Sequence, residues 1–133
     1  MTDPHEAEMS LLGSMLLSSD CIVDIAPIVC ADQFSRKANS LIFSSMVRIK
    51  DRGDDLDIVT LQEDLKSRNE LEKVGGILYL MSIAEYVPTF HHAQSYARIV
   101  HREHVRRSII VKAQQAINEL SGGEKPVEEV GYW

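Results

Sequence analysis

The sequence is poor in the features that mark several large classes of protein. Only two of its 133 residues are cysteines, Cys21 and Cys30, which are too few for a disulfide framework and do not form a CxxC zinc motif. No apolar run approaches the roughly 18 residues of a membrane-spanning helix. The first residues lack the basic and apolar segments of a signal peptide. The length of 133 residues predicts a single domain, and the low cysteine count predicts a protein of the reducing cytoplasm.

The motifs of the common enzyme classes are also missing. The sequence contains no GxxxxGK[ST] phosphate loop, no GxGxxG fingerprint, no GxSxG elbow and no HExxH pair. Asp54, Asp55 and Asp57 lack the spacing, central glycine and closing glutamate of a calcium loop. His101 and His104 are about one helical turn apart, without a further ligand clearly placed to complete a metal shell. We therefore expect no catalytic activity, cofactor or metal in this chain.

Alternation typical of strands is lacking, and apolar residues recur instead at helical spacing. The pattern predicts an all-α fold with a compact head of about five helices over residues 1–88. Asp3 is a candidate cap of the first helix, Gly53 ends the third, and Thr60 with Glu63 fits a capping box of the fourth. Residues 89–133 are predicted to form a long projecting helix, capped by Thr89, and the truncated start of a second hairpin arm.

Glycines mark two places in the predicted head. Gly13 interrupts the first helix, which predicts a close helix crossing. Gly75 and Gly76 directly precede an apolar helical run that Pro88 closes. A glycine pair weakens a helix, so its position predicts tight packing or an unusual backbone angle. We assign a structural role to all four residues.

The helix after the glycine pair has two apolar faces. Helical spacing places one stripe on the core side: Ile77, Leu80, Met81, Ala84 and Val87. Tyr79, Ile83 and Tyr86 share the other face at i, i+4 and i+7. Two interpretations of this second face remain open, namely packing against another helix of the same domain and contact with a partner.

The predicted long helix carries a line of basic residues and continues beyond what a small head can cover. Arg98, Arg102 and Arg106 repeat at i+4 with Arg107 beside them, which suits either a solvated face or contact with phosphates. The far end is apolar at helical spacing and is expected to seek a partner helix. After Gly123, Pro126 and the following acidic pair predict a returning arm that is cut at Trp133.

A series of short motifs occurs in a specific order between about Pro4 and Leu120. They are Glu6-Ala7-Glu8, Leu12-Gly13, Asp32-Gln33-Phe34, Ile42-Phe43, Arg52-Gly53, Asp57-Ile58-Val59-Thr60-Leu61, Leu71-Glu72-Lys73-Val74-Gly75-Gly76, Tyr79-Leu80, Val87-Pro88-Thr89, Tyr96-Ala97-Arg98-Ile99-Val100 and Arg106-Arg107. Together they resemble the N-terminal domain of replicative DNA helicases of the DnaB family. This chain departs from the family pattern at Asn39, near which a histidine is common, and at Phe90-His91-His92, where small residues and asparagine are usual.

The resemblance implies an all-helical collar domain of a hexameric ring, with a globular head and a helical hairpin. The ATP-hydrolysing motor that translocates on single-stranded DNA would be a separate domain, so this chain would neither unwind DNA nor bind nucleotide. Its expected work is ring assembly by self-association and the docking of primase and a helicase loader. The expected location is the cytoplasm of a bacterium or of a phage host. The alternative is a single-stranded DNA-binding module that uses the basic line, which the net charge of -6 disfavours.

Interfaces favour aromatic and arginine anchors, which nominates partner-binding residues from both parts of the chain. They are Tyr79, Ile83 and Tyr86 in the head and Arg106, Arg107, Ile109 and Ile110 in the long helix. Core packing and primase docking are equally good interpretations of Tyr79. For Ile109 and Ile110, packing of the hairpin within a dimer is favoured over primase contact.

Overall fold

The computed structural model describes residues 4–122. Within this range the regular secondary structure is helical, and no strand occurs. This confirms the predicted all-α fold and the long C-terminal helix. The predicted cap at Asp3 and the predicted returning arm from Pro126 to Trp133 lie outside the described residues. Three short 3-10 turns, Ser19–Cys21, Ala31–Gln33 and Glu72–Val74, accompany the α-helices. The helices are α1 (Pro4–Leu17), α2 (Ile22–Ile25), α3 (Lys37–Asp51), α4 (Ile58–Ser67), α5 (Gly76–Ala84) and α6 (Ala93–Ser121).

The chain divides into two compact units, the first ending at His101 and the second beginning at Arg102. The first unit holds α1 to α5 and the start of α6, and the second holds the rest of α6. The functional division into a head over residues 1–88 and an arm over residues 89–133 stays a prediction. None of the described helices is both long and apolar enough to cross a membrane.

The core of the first unit lies where four helices meet. Helix α1 packs on α3 and α5, and α4 packs on the same two helices. Each apolar side chain that is fully removed from water contributes about 1.5–3 kcal/mol, so this cluster supplies the main stabilisation of the unit. Its largest fully buried apolar members are Leu11, Leu12, Met15, Ile25, Ile42, Met46, Ile49, Leu61, Leu65, Leu80 and Ile83.

The cap of α4 lies three residues before Thr60, the residue that the sequence predicted as the cap. Asp57 is the cap: its carboxylate accepts a hydrogen bond from the Thr60 backbone N–H at 2.8 Å. The Thr60 hydroxyl accepts in return from the Asp57 N–H at 2.9 Å. The predicted pairing of Thr60 with Glu63 is therefore wrong. Both threonine and aspartate are good caps, and the pattern placed Thr60 at the cap position instead of the third helical position.

Helix α5 ends at Ala84, four residues before Pro88, so the prediction that Pro88 closes it is wrong. The Tyr86 N–H bonds the Ile83 carbonyl at 3.1 Å, which tightens the chain into a 3-10-type turn before the proline is reached. Thr89 does not cap α6, because that helix begins at Ala93. Its hydroxyl instead accepts from the His91 N–H at 3.3 Å within the connecting turn.

The glycine predictions are confirmed by the backbone. A Cβ atom on Gly13 would lie 2.7 Å from the backbone oxygen of Ile83, so α1 and α5 cross at a distance that only glycine permits. Gly75 has φ +106° and Gly76 has φ +71°, both in the left-handed region that side chains disfavour. The glycine pair thus turns the chain from the 3-10 turn Glu72–Val74 into α5.

Candidate interaction surfaces

The structure assigns the faces of α5 differently from the sequence. Ile83 is fully buried against the crossing with α1, while Met81 is 44 % exposed and Leu78 is 76 % exposed. The predictions that Met81 faces the core and that Ile83 faces a partner are therefore wrong. Helix α5 is apolar on nearly every side, so helical spacing alone does not distinguish its inner face from its outer one.

Tyr79 lies at one end of a polar network inside the first unit. Its hydroxyl donates a hydrogen bond to the Asn39 side-chain oxygen at 2.5 Å. The Asn39 amide in turn donates to a Glu8 carboxylate oxygen at 2.8 Å. The other Glu8 oxygen accepts from the Ser35 N–H at 2.8 Å and from the Ser35 hydroxyl at 2.6 Å. The network therefore joins α1, the start of α3 and α5.

Burial makes this network costly to disturb. Glu8 is 1 % exposed and Asn39 is 0 % exposed, so neither can replace a lost partner with bulk water. Burial, the largest influence, raises the pKa of the half-buried Tyr79 hydroxyl above its ordinary value. The hydroxyl thus remains a hydrogen-bond donor at neutral pH. The structure gives Tyr79 a packing role, and a direct partner contact through its remaining exposed surface stays a prediction.

The polar network was not predicted from the sequence, although Glu8 carries a signal for it. Glu8 precedes Leu11, Leu12 and Met15 at i+3, i+4 and i+7, which places its carboxylate on the buried face of α1. A charged residue at that spacing requires internal partners. Asn39 supplies one of them.

A second polar cluster, centred on Asp64 of α4, was also missed. Its carboxylate accepts hydrogen bonds from the Ser45 hydroxyl at 2.6 Å, from Arg48 at 2.7 Å and from Arg52 at 2.8 Å. Burial raises the pKa of Asp64, but the hydrogen bonds from Ser45, Arg52 and Arg48 outweigh it and lower that pKa to about 2. Arg52 also binds Asp54 at 2.6 Å, so the cluster ties α3 to α4 and to the loop between them.

Among the predicted partner-binding residues, several side chains reach solvent. In the first unit, Tyr86 is exposed in the turn that follows α5. In the second unit, Ile109 is 57 % exposed and Ile110 is 60 % exposed, and Arg106 is also exposed. Arg107 is partly buried. Their contacts with a partner stay predictions.

The basic line is partly neutralised within the chain. In the second unit, the Glu103 carboxylate lies 3.6 Å from the Arg102 guanidinium and 3.8 Å from that of Arg106. In the first unit, Arg98 donates to the Gln94 side chain at 3.3 Å. A carboxylate beside the line weakens its attraction for phosphates. DNA binding through Arg98, Arg102, Arg106 and Arg107 nevertheless stays a prediction.

Metal binding finds no support among residues 4–122, where no three histidine, cysteine or acidic side chains are grouped suitably. His101 contacts the Gln33 side-chain oxygen at 3.2 Å.

The described residues are thus helical, their buried polar groups serve internal packing, and several large apolar side chains are exposed. This all-helical architecture defines a class of small helical domains, and the sequence matches one known family of them. The family of DnaB-like helicase N-terminal domains matches residues 2–102, and the chain belongs to this family. The resemblance on which the sequence-based prediction relied is confirmed.

Individual relatives agree with that assignment. The chain is 38 % identical to the replicative DNA helicase DnaB of Geobacillus stearothermophilus over 105 residues, which are 79 % of this chain and 23 % of the relative. It is 33 % identical to the replicative DNA helicase DnaC of Bacillus subtilis over 125 residues, which are 94 % of this chain and 28 % of the relative. The chain thus spans about a quarter of the length of these curated relatives.

Solved structures show the same fold. The crystal structure of the N-terminal domain of DnaB helicase from Mycobacterium tuberculosis superposes with a TM-score of 0.88 at 31 % identity, covering 95 % of this chain and 89 % of the other. The structure of a DnaB-like replicative helicase described with its primase interactions gives a TM-score of 0.75 at 24 % identity. That alignment covers 94 % of this chain and 29 % of the other and demonstrates the fold alone.

Proposed function

We propose that this chain is the collar domain of a hexameric replicative DNA helicase and acts by holding other proteins together. It associates with further copies of itself, docks primase and serves as a platform for a helicase loader. The chain itself contributes no catalysis, and it contacts DNA weakly if at all. Its place of work is the bacterial cytoplasm, where such a helicase meets the chromosome.

The observation that carries the proposal is an apolar stripe on residues 102–121. Its members repeat at i, i+4, i+8, i+11, i+12 and i+15, which places them on one side of the helix. The larger side chains of the stripe are exposed by 40 % or more. A helix with such a side exposed gains stability when another helix covers it. We call this the C-terminal stripe; it comprises Val105, Ile109, Ala113, Ala116, Ile117 and Leu120, with Ile110 at its edge.

The mass of the chain in solution tests self-association. Size-exclusion chromatography with light scattering should show a concentration-dependent dimer or larger assembly for the wild type. Ile109→Asp should shift it to monomer, because each buried isoleucine contributes about 1.5–3 kcal/mol and a charge replaces it. Val111→Asp is the matched control, because Val111 is 54 % exposed on the opposite side of the helix. A wild type that stays monomeric at all concentrations, or equal effects of both variants, would contradict the proposal.

Primase docking is supported by family membership and by the primase interactions named for one structural relative of the same fold. Its test is a calorimetric titration with the purified C-terminal domain of primase. Tyr86→Ala should weaken binding about tenfold or more if Tyr86 is an interface anchor. Leu78→Ala is the control on the exposed side of α5. Absence of binding by the wild type would remove docking as an activity of this chain.

A direct test separates the collar from the DNA-binding alternative. Labelled single-stranded oligonucleotide is titrated with the chain at low and at moderate salt. The proposal expects no tight binding, whereas tight binding that weakens steeply with salt would favour the basic line. Loss of that binding in an Arg102→Gln, Arg106→Gln double variant would assign it to those residues.

A further inference from the structure

A cleft of about 460 Å³ opens on the first unit. One side comes from residues 18–24, which form the connection between α1 and α2 and the start of α2. The other side comes from residues 90–98, which form the turn before α6 and its first residues. The volume is in the range of small-ligand sites and also suits one long side chain with part of its backbone.

The two sides of the cleft carry complementary groups for a cation. Asp20 and Asp24 contribute carboxylates to one side. Asp20 already binds Lys50 at 3.1 Å, but its side chain remains 92 % exposed. On the other side the rings of Phe90 and His91 lie 4.9 Å apart, and Phe90 is 41 % exposed. Carboxylates and aromatic faces are the groups that hold arginine and lysine side chains.

Arg98 narrows the choice of ligand. Arg98 lines the same cleft. Its guanidinium donates to the Gln94 side-chain oxygen at 3.3 Å and has further N–H groups that can donate to an incoming acceptor. A positive charge at this position disfavours a bare cation. It favours a ligand that carries a cation together with a separate oxygen acceptor, and a peptide with a basic side chain has both.

We propose that this cleft binds a basic side chain from a segment of a partner protein. The carboxylates of Asp20 and Asp24 and the ring of Phe90 hold the cation, while Arg98 donates a hydrogen bond to a backbone carbonyl of the segment. The lining residues of the cleft do not include those of the C-terminal stripe, so different variants test the two proposals.

The test is an NMR titration of the labelled chain with the capped peptide acetyl-Ala-Arg-Leu-amide. The control peptide replaces arginine with citrulline, which has nearly the same shape without the charge. We expect saturable shifts of the amide signals of residues 18–24 and 90–98, and binding about fivefold weaker for the citrulline peptide. Asp24→Asn and Phe90→Leu should each weaken binding of the arginine peptide by a similar factor.

Asp55→Asn provides the matched control, because it removes the same charge from an exposed residue of the α3–α4 loop, outside the cleft. Equal weakening by Asp24→Asn and Asp55→Asn would show attraction by net charge and would overturn the proposal. Equal binding of the two peptides, or shifts outside the cleft, would overturn it as well. Saturable binding of free arginine as tight as that of the peptide would indicate a small-molecule site and would refute the partner segment.

Discussion

The replacement Tyr79→Phe isolates the hydroxyl that closes the buried polar network. The ring and its packing remain, and only the donor to Asn39 disappears. Because Asn39 is 0 % exposed, its side-chain oxygen is left without a partner and pays the cost of desolvation. That cost is about 1–2 kcal/mol of unfolding free energy, which lowers the melting temperature by about 4–8 °C for a domain of this size.

Urea unfolding followed by circular dichroism measures this loss. Tyr86→Phe is the matched control, because Tyr86 is exposed and the same atom is removed. The control should change the unfolding free energy by less than about 0.5 kcal/mol. The midpoint in urea should fall for Tyr79→Phe with an unchanged slope, since the folded surface is the same.

The result also separates the two interpretations of Tyr79 that the sequence left open. A stability loss with unchanged primase affinity supports the packing role. Unchanged stability together with weakened primase binding would refute our account of the network and would identify the hydroxyl as a docking group. Glu8→Gln in the Tyr79→Phe background completes a double-mutant cycle, and simple additivity of the two losses would show that the network does not act as a unit.

Four further variants test the helix crossing, the glycine turn and the acidic centre of α4. Gly13→Ala should lower the unfolding free energy by about 1–3 kcal/mol, because the new methyl group would lie 2.7 Å from the Ile83 backbone oxygen. This overpacking should outweigh the better helix propensity of alanine. An unchanged urea midpoint would disprove the close crossing. Gly75→Ala should lower the melting temperature more than Gly76→Ala, because a Cβ at Gly75 also meets the Tyr79 Cβ at 3.0 Å whereas the nearest atom to one at Gly76 is 3.9 Å away; equal losses would contradict this reasoning. Asp64→Asn should cost about 1–2 kcal/mol at neutral pH, after allowance for the partly exposed arginines. Folding lowers the pKa of Asp64 to about 2 from about 3.9 in the unfolded chain. The difference in unfolding free energy between wild type and Asp64→Asn should therefore shrink as the pH falls from about 4 to about 2. A difference that stays constant in unfolding titrations over that range would refute the role of the Asp64 charge.

Residues with strong local signals were predictable. The close helix crossing was predictable from Gly13, and the unusual backbone before α5 was predictable from Gly75 and Gly76. Glycine is the residue for which these geometries cost least. The ordered motifs also led to the correct family, since their order constrains the whole domain more than any single motif does. Pro88 was misleading, because the backbone had already left the helix at Ala84.

The orientation of α5 and the partners of buried polar groups were not predictable in the same way. Ile83 and Met81 are both apolar and both at helical spacing, so only contact with α1 decides which one is buried. The partners of Glu8 lie 27 and 31 residues away along the chain, at Ser35 and Asn39. Local propensity carries no information over that separation, which is bridged by packing alone.

By itself, therefore, the sequence determined the helical class, the places where glycine is required and the family, because each depends on local backbone preference or on the order of residues. Tertiary structure decided that Tyr79 closes an internal network and that the exposed apolar side of α5 carries Leu78 and Met81. The physical reason is that burial belongs to the packed arrangement of helices. When a helix is apolar on all sides, the packing of the neighbouring helices decides which side is buried.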